Sequence, residues 1–353
     1  MIPKLEGLSL DHVASSLIPD AAHMTKTSLN GASDIPTVTG EGDAGNRETE
    51  SEEKPQERLL KVTSTPDRGL AVFAARKIKA GTLVLAETPL ISLDKDEEND
   101  SAAIEHRFLA LSRAEQKLYL CLFDAQKSRM SRIASIYYSN CYNCDGFKKD
   151  GRGGSAVGVL VSRINHNCVP NVQFCYDEAC NEMRFHAIRD IPKGKEVCSN
   201  YDKAVFEVVG KRQRKQQMYY GFICRCEACE PKNEFWAKSD DRRKGMLEAF
   251  RTVQECEKQF FTEDVKQDEK QSAVVEASNA LVRLEGLLIK ECLVGVPLAN
   301  TYRSLAKWSE RQGNAEQTAK WKVKEREVCV VGFGIDAERT KEIDQKLKAL
   351  RKC

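Results

Sequence analysis

The chain has 353 residues, with 55 Lys and Arg against 53 Asp and Glu, a net charge of +2. That is enough for two or three domains and a substantial core, and the near balance of charge excludes any global bias toward nucleic acid or acidic partners. No apolar run reaches membrane-spanning length, and the opening MIPKLEGLSLDHVASS lacks a basic stretch followed by an apolar core, so no membrane span or secretory signal is expected. The 14 cysteines then point to a reducing compartment, nuclear and/or cytoplasmic, where clustered thiols bind metal more often than they pair.

In chain order, residues 1–57 read as disordered. The stretch TGEGDAGNRETESEEKPQER is rich in Gly, Glu and Ser and has no aromatic residue with which to offset chain entropy. From Leu59, LLKVTSTPDRGLAVFAARKIKAGTLVLAETPLI alternates apolar and β-branched residues, with turn signals at Pro66–Gly69 and Lys79–Gly81, and predicts short antiparallel strands. Helical spacing takes over at Phe108, Leu111, Leu118, Cys121 and Leu122. Two helices are expected over 101–136, the second capped by Ser112. KKDGRGGSAVG reads as a Gly-rich loop. NVQFCYDEACNEMRFHAIRDI predicts a hairpin turning near Asp177–Asn181, and IPKGKEV a turn into a further strand. From about residue 234 the pattern is amphipathic helix to the end. Residues 298–334 have a helix–turn–helix period near that of a tetratricopeptide unit, and a plain helical bundle fits them equally.

Three cysteines, Cys224, Cys226 and Cys229, stand as C-x-C-x-x-C in YYGFICRCEAC. Structural zinc takes four thiolate or imidazole ligands, so this trio predicts a zinc site that needs a fourth ligand from elsewhere. Upstream, SRINHNCVPNVQF contains N-H-x-C-x-P-N in Asn165, His166, Cys168, Pro170 and Asn171, and GKEVCSNYDK lies between that motif and the trio.

This order of motifs resembles the SET-domain protein lysine methyltransferases. In that family N-H-x-C-x-P-N is followed by G-x-E-x-x-x-x-Y and a C-x-C-x-x-C tail. RGLAVFAARKIKAGTLVLAETPLI is similar to the family's opening strands. The resemblance covers roughly residues 58–230. The helical insertion and helical C-terminal region are similar to the SET-and-MYND subfamily and its fungal relatives, although no MYND-type finger is visible. The fold implied is α+β: a SET domain of short β-sheets (a β-clip with a pseudoknot) over 58–230, with a helical insertion at about 95–150 and a post-SET zinc motif. An all-α domain at 231–353 follows it.

The resemblance also implies roles. Cys168 becomes the fourth zinc ligand beside Cys224, Cys226 and Cys229. Such a ligand closes a long loop, where a clip removes most unfolded-chain entropy. The activity implied is methyl transfer from S-adenosylmethionine to a lysine amine of a protein or peptide substrate. A dry channel favours the neutral amine, and alignment of nitrogen, methyl and sulfur supplies much of the acceleration. Tyr201 and Tyr220 take the catalytic positions, Tyr201 beside the transferred methyl and Tyr220 lining the lysine channel. Tyr201 also belongs to the cofactor positions, with Arg68, Gly69, Leu70, Asn140, Ser162, Asn165, His166 and Phe222. Gly69 would let backbone approach the cofactor closely.

Some residues depart from the family pattern. Ala71 stands where a second glycine is usual, and Asn167 and Val169 replace the usual Ser and Asp. A rival tetrad of Cys141, Cys144, Cys175 and Cys180 is conceivable. The alternative function is a catalytically weak SET-fold scaffold that holds partner peptides on its C-terminal helices. A nucleic-acid zinc module is disfavoured by the charge balance, and a monomer without nucleic-acid or membrane contacts is expected.

Overall fold

The computed structural model describes residues 59–125, 130–144, 153–202 and 204–350. The segment read as disordered, and residues 148–152 of the Gly-rich loop, lie outside these. Strand β1 (Leu60–Thr65) turns at Pro66–Gly69 into β2 (Gly69–Ala74), paired antiparallel from Leu60↔Ala74 to Thr65↔Gly69. Gly69 has φ +64, a left-handed turn that a side chain resists. Thr65 Oγ1 closes the turn, donating to Gly69 O at 2.9 Å and accepting from Arg68 N–H at 3.1 Å.

β3 (Leu83–Glu87) does not continue this hairpin. It joins β8 (Val172–Asp177) and β9 (Glu182–Ala187) in a sheet of order β3-β9-β8. The predicted β8–β9 hairpin forms as expected, with Asn181 at φ +53 in its turn. Period-two alternation gives this sheet two buried faces. Phe174, Tyr176, Met183 and Phe185 enter the core together with Val72, Tyr142 and Tyr201. On the other face, Cys175 packs with Val296, Ala299, Cys329 and Phe333.

Among the described residues three helices, not the expected two, occupy the insertion: α1 (Ser101–Leu109), α2 (Arg113–Leu120) and α3 (Arg132–Asn140). Ser112 caps α2 as predicted, in a capping box with Glu115. Ser131 caps α3 through its bond from Ala134 N–H. A second start signal of the same kind therefore divides what the apolar spacing alone joined. β4 (Ile91–Leu93), β5 (Tyr142–Asn143) and β6 (Ser155–Val157) form a sheet of order β4-β6-β5 at the root of these helices. Ser155–Val157 is thus strand, although the sequence reading put it in the loop. Its partners Ile91–Leu93 lie more than sixty residues upstream and leave no local trace.

The shortest strands matter most. β7 (Asn165–His166) pairs parallel with β10 (Cys198–Ser199), in register Asn165↔Cys198 and His166↔Ser199. Asn171 braces the pair. Its Nδ2 donates to Glu196 O and its Oδ1 accepts from Cys198 N–H, both at 2.8 Å. After Tyr201 the chain enters α4 (Val209–Tyr220), which ends at Gly221 with φ +71 and leads into the cysteine trio.

The rest is helical as expected: α5 (Glu234–Ala237), α6 (Ser239–Phe261), α7 (Gln267–Lys290), α8 (Val296–Arg311), α9 (Ala315–Phe333) and α10 (Glu338–Leu350). Met246 and Val253 of α6 pack with Leu281, Leu284 and Leu288 of α7 and with Leu305 and Trp308 of α8. α9 lies across β8 and β9. Among the described residues no helix is long and apolar enough to cross a membrane.

Gly154 has φ +99, and a Cβ there would sit 2.0 Å from Leu93 O. Gly154→Ala is expected to cost about 3 kcal/mol, from the left-handed backbone and the clash with a main-chain atom together. Chemical denaturation would measure it, and an unchanged midpoint would contradict the strand packing described here.

Candidate active site and metal cluster

The sulfurs of Cys168, Cys224, Cys226 and Cys229 lie within 4.8 Å of one another. Cys168 Sγ is 3.8 Å from Cys224 Sγ and 3.6 Å from Cys229 Sγ. A disulfide needs about 2 Å. A tetrahedral ion with metal–sulfur bonds of about 2.3 Å places its ligands about 3.8 Å apart, so the cluster has the dimensions of a four-thiolate metal site. Hydrogen bonds from the three neighbouring sulfurs, helped by the Arg212 guanidinium, hold the Cys229 thiol well below its ordinary pKa. Buried Arg212 donates to Ala228 O at 2.9 Å and to Cys229 Sγ at 3.4 Å. It supplies positive charge beside sulfurs that would carry a surplus of negative charge around a divalent ion. The rival tetrad does not assemble. Cys175 points at the helices, with its Sγ 3.8 Å from His186 Nδ1, and Cys180 is exposed in the hairpin turn.

The β7–β10 pairing brings His166 to Tyr201. His166 Nδ1 accepts the Tyr201 backbone N–H at 3.0 Å, so the ring proton belongs on Nε2, which lies 3.3 Å from Cys168 Sγ. Burial, ahead of the nearby charges, lowers the His166 pKa to about 4, which keeps the ring neutral. One imidazole therefore spans from the sulfur cluster to the main chain of Tyr201.

Tyr201 is buried, and its Oη donates to Ile164 O at 2.8 Å. Burial pushes its pKa well above the ordinary value, so the phenol stays protonated. Three rings surround it: His166 at 5.1 Å, Tyr220 at 5.3 Å and Phe222 at 6.5 Å between centroids. Edge-on contacts of this kind hold ring orientation. Tyr220 Oη adds a long bond of 3.4 Å to Tyr201 O.

Asn165 and Arg68 meet through Glu196. Asn165 Nδ2 donates to Glu196 Oε1 at 2.6 Å, and Arg68 Nη2 pairs with Oε2 at 2.7 Å. Glu196 thus ties the β1–β2 turn to the N-H-x-C-x-P-N segment. It stands in GKEV, and its partners Asn165 and Arg68 lie too far off in sequence to leave a local signal. The neighbouring Leu70 is exposed, and Ala71 is fully buried in β2.

Ser162 sits in a single 3₁₀ turn (Val161–Arg163), its Oγ donating to Gly158 O. This turn hangs from Glu87 at the end of β3. The carboxylate accepts from Val159 N–H at 2.7 Å, from Leu160 N–H at 2.9 Å and from Val161 N–H at 2.8 Å. Asn140, at the end of α3, spends its amide hydrogens on Phe123 O and Ile136 O, each at 2.7 Å, and its buried Oδ1 has no partner among the described residues. The four cysteines, His166, Tyr201, Tyr220 and Phe222 therefore gather in one place, as do Arg68 and Asn165 around Glu196. Through its bonds to Phe123 O and Ile136 O, Asn140 holds the helical insertion together.

Residues 69–202 match the family model of the SET domain, and this part of the chain is a SET domain. The histone-lysine N-methyltransferase set5 of Schizosaccharomyces pombe is 31% identical over 189 residues, covering 54% of this chain and 56% of its own length. The human N-lysine methyltransferase SMYD2 is 31% identical over 105 residues, 29% of this chain and 24% of its own. The chain thus spans about half, or less, of the length of these relatives. Among solved structures, the SET domain of LSMT bound to lysine and AdoHcy aligns with 84% of this chain and 87% of its own at 9% identity, with a TM-score of 0.29.

Glu87→Ala would leave three N–H groups without their charged acceptor, at an expected cost of about 3 kcal/mol, and Glu87→Gln about 1 kcal/mol. Urea denaturation would read both, and equal stability of the two variants would contradict the capping role.

Proposed function

We propose that this protein transfers a methyl group from S-adenosylmethionine to the side-chain amine of a lysine in a protein substrate. The observation that carries the reading is the burial of the Tyr201 hydroxyl just beyond the parallel β7–β10 pair, within a cage of Tyr220, Phe222 and His166. The SET domain itself and the named activities of set5 and SMYD2 support it.

S-adenosylmethionine, when bound, supplies an electrophilic methyl group on a sulfonium. The chain's own residues have to bind, orient and dehydrate. In this reading the Tyr201 phenol, anchored to Ile164 O, keeps its oxygen lone pairs directed at the reacting centre while staying neutral. Tyr220 walls the lysine channel. Burial away from water disfavours a charged ammonium, so the amine enters as a nucleophile. Phe222 would pack on the adenine. Asn165 and His166 would hold the cofactor's amino-acid and adenine portions, with Arg68, Gly69, Leu70, Ser162 and Asn140 as further contacts. The Oδ1 of Asn140, without a partner among the described residues, would be an acceptor for a ligand's ammonium or amide.

The metal in this reading is one zinc ion held by Cys168, Cys224, Cys226 and Cys229. An all-sulfur donor set selects zinc over harder cations, and a closed four-ligand site is structural. Its work is to pin the tail bearing Tyr220 and Phe222 against the His166 loop.

Incubation with labelled S-adenosylmethionine and a cell lysate should label protein, and Tyr201→Phe should cut the rate about a hundredfold, the size of losing one well-placed polar group. Equal labelling by both forms would remove Tyr201 from the reaction. Elemental analysis should give one zinc per chain. A strong chelator should then lower the melting temperature and weaken cofactor binding together. A chain free of zinc with an unchanged melting temperature would defeat the metal assignment.

A further inference from the structure

Arg243 is fully buried in α6, outside every motif of the SET domain. Its Nη2 donates to Cys168 O at 3.0 Å and its Nη1 donates to Val205 O. Its Nε donates to Glu291 Oε1 at 2.9 Å, at the end of α7. Glu291, also fully buried, accepts from Ser239 Oγ at 2.5 Å and from Arg242 Nε at 2.6 Å. Arg242 continues outward to Phe235 O at 2.8 Å and stacks over the Phe235 ring.

A group that only filled space here would be apolar, because a buried charge is unfavourable unless fully paired. The guanidinium instead uses each edge of its planar fork on a different segment, which an ammonium cannot do. Two of those segments flank the site. Cys168 O belongs to the backbone of a cluster cysteine, two residues after His166. Val205 O lies in the link between Tyr201 and α4. Glu291 fixes the third edge to the helices.

We propose that Arg243 is a positioning residue of the site: the C-terminal helices hold the His166–Cys168 loop and the segment after Tyr201 in mutual register through it. The role of that register in catalysis rests on the methyl-transfer reading above, and the bracing itself does not. It follows that the C-terminal helices are an integral part of the reaction centre's support.

The test uses the full chain and compares wild type with Arg243→Lys, which keeps a cation beside Glu291 but loses the fork. Glu257→Gln serves as control. It breaks pairs with Lys307 and Arg311 in the same helical region, away from the site. Hydrogen–deuterium exchange read by mass spectrometry should show peptide 165–171 exchanging about tenfold faster in Arg243→Lys. Peptide 172–187 should be unchanged, and Glu257→Gln should leave both at the wild-type rate. Calorimetric titration with S-adenosylmethionine should give a Kd raised about tenfold in Arg243→Lys alone. If Arg243→Lys does not fold, Arg243→Met combined with Glu291→Gln removes the buried pair of charges while leaving an amide oxygen to accept from Arg242 or Ser239, and should fold with the same loosened loop. Unaltered exchange over 165–171 in a folded variant, or equal acceleration in Glu257→Gln, overturns the proposal. If wild type binds no S-adenosylmethionine, the methyl-transfer reading falls, and the exchange comparison still decides whether Arg243 braces the loop.

Discussion

Four sulfurs from two places 56 residues apart have to sit within reach of one another, and the rest of the site is built around that closure. Cys168 lies on the loop that carries His166. The trio lies on the tail that carries Tyr220 and Phe222. Bringing sulfur to sulfur brings these rings around Tyr201. Thiolates so close repel one another unless positive charge intervenes. Arg212 sits against Cys229 on one side, and His166 turns an N–H toward Cys168 on the other. The cluster and the aromatic cage are therefore one object with a shared imidazole between them.

That object depends on very little regular structure. β7 and β10 are two residues each, and strands this short do not persist alone. Side chains do what longer ladders usually do. Asn171 completes the pairing, Glu196 ties it to the first hairpin, and Glu87 holds the turn before it. Each of these polar groups is buried or half-buried and well partnered, which turns the cost of burial into a constraint on geometry. Removing one partner leaves the other stranded, so the network resists small rearrangements.

The helical half of the chain bears on the same place from outside. Alternation along β8 and β9 gives one face to the SET core and the other to α8 and α9. A sheet buried on both faces has no solvent side to relax into. Arg243 and Glu291 reach from the helices to the cysteine loop itself. The helices are thus joined to the site through packing on one side and through a paired, fully buried charge on the other.

Whatever depends on neighbours a few residues apart could be read from the sequence. Ser112 as a cap, the turn at Asp177–Asn181, the amphipathic C-terminal helices and the C-x-C-x-x-C spacing are of this kind, since backbone preference and side-chain period act locally. The family resemblance further assigned His166 and Tyr201 to one cofactor site. Only the tertiary structure decided what crosses the chain. Ser155–Val157 became a strand because Ile91–Leu93 offered it a partner, and Glu196 became the link between Arg68 and Asn165. Arg243, 75 residues from Cys168, became the brace behind it. A lone Glu or Arg on an amphipathic stretch looks like a solvated surface residue. Which of them is buried depends on how distant segments close upon one another, and no local pattern encodes that.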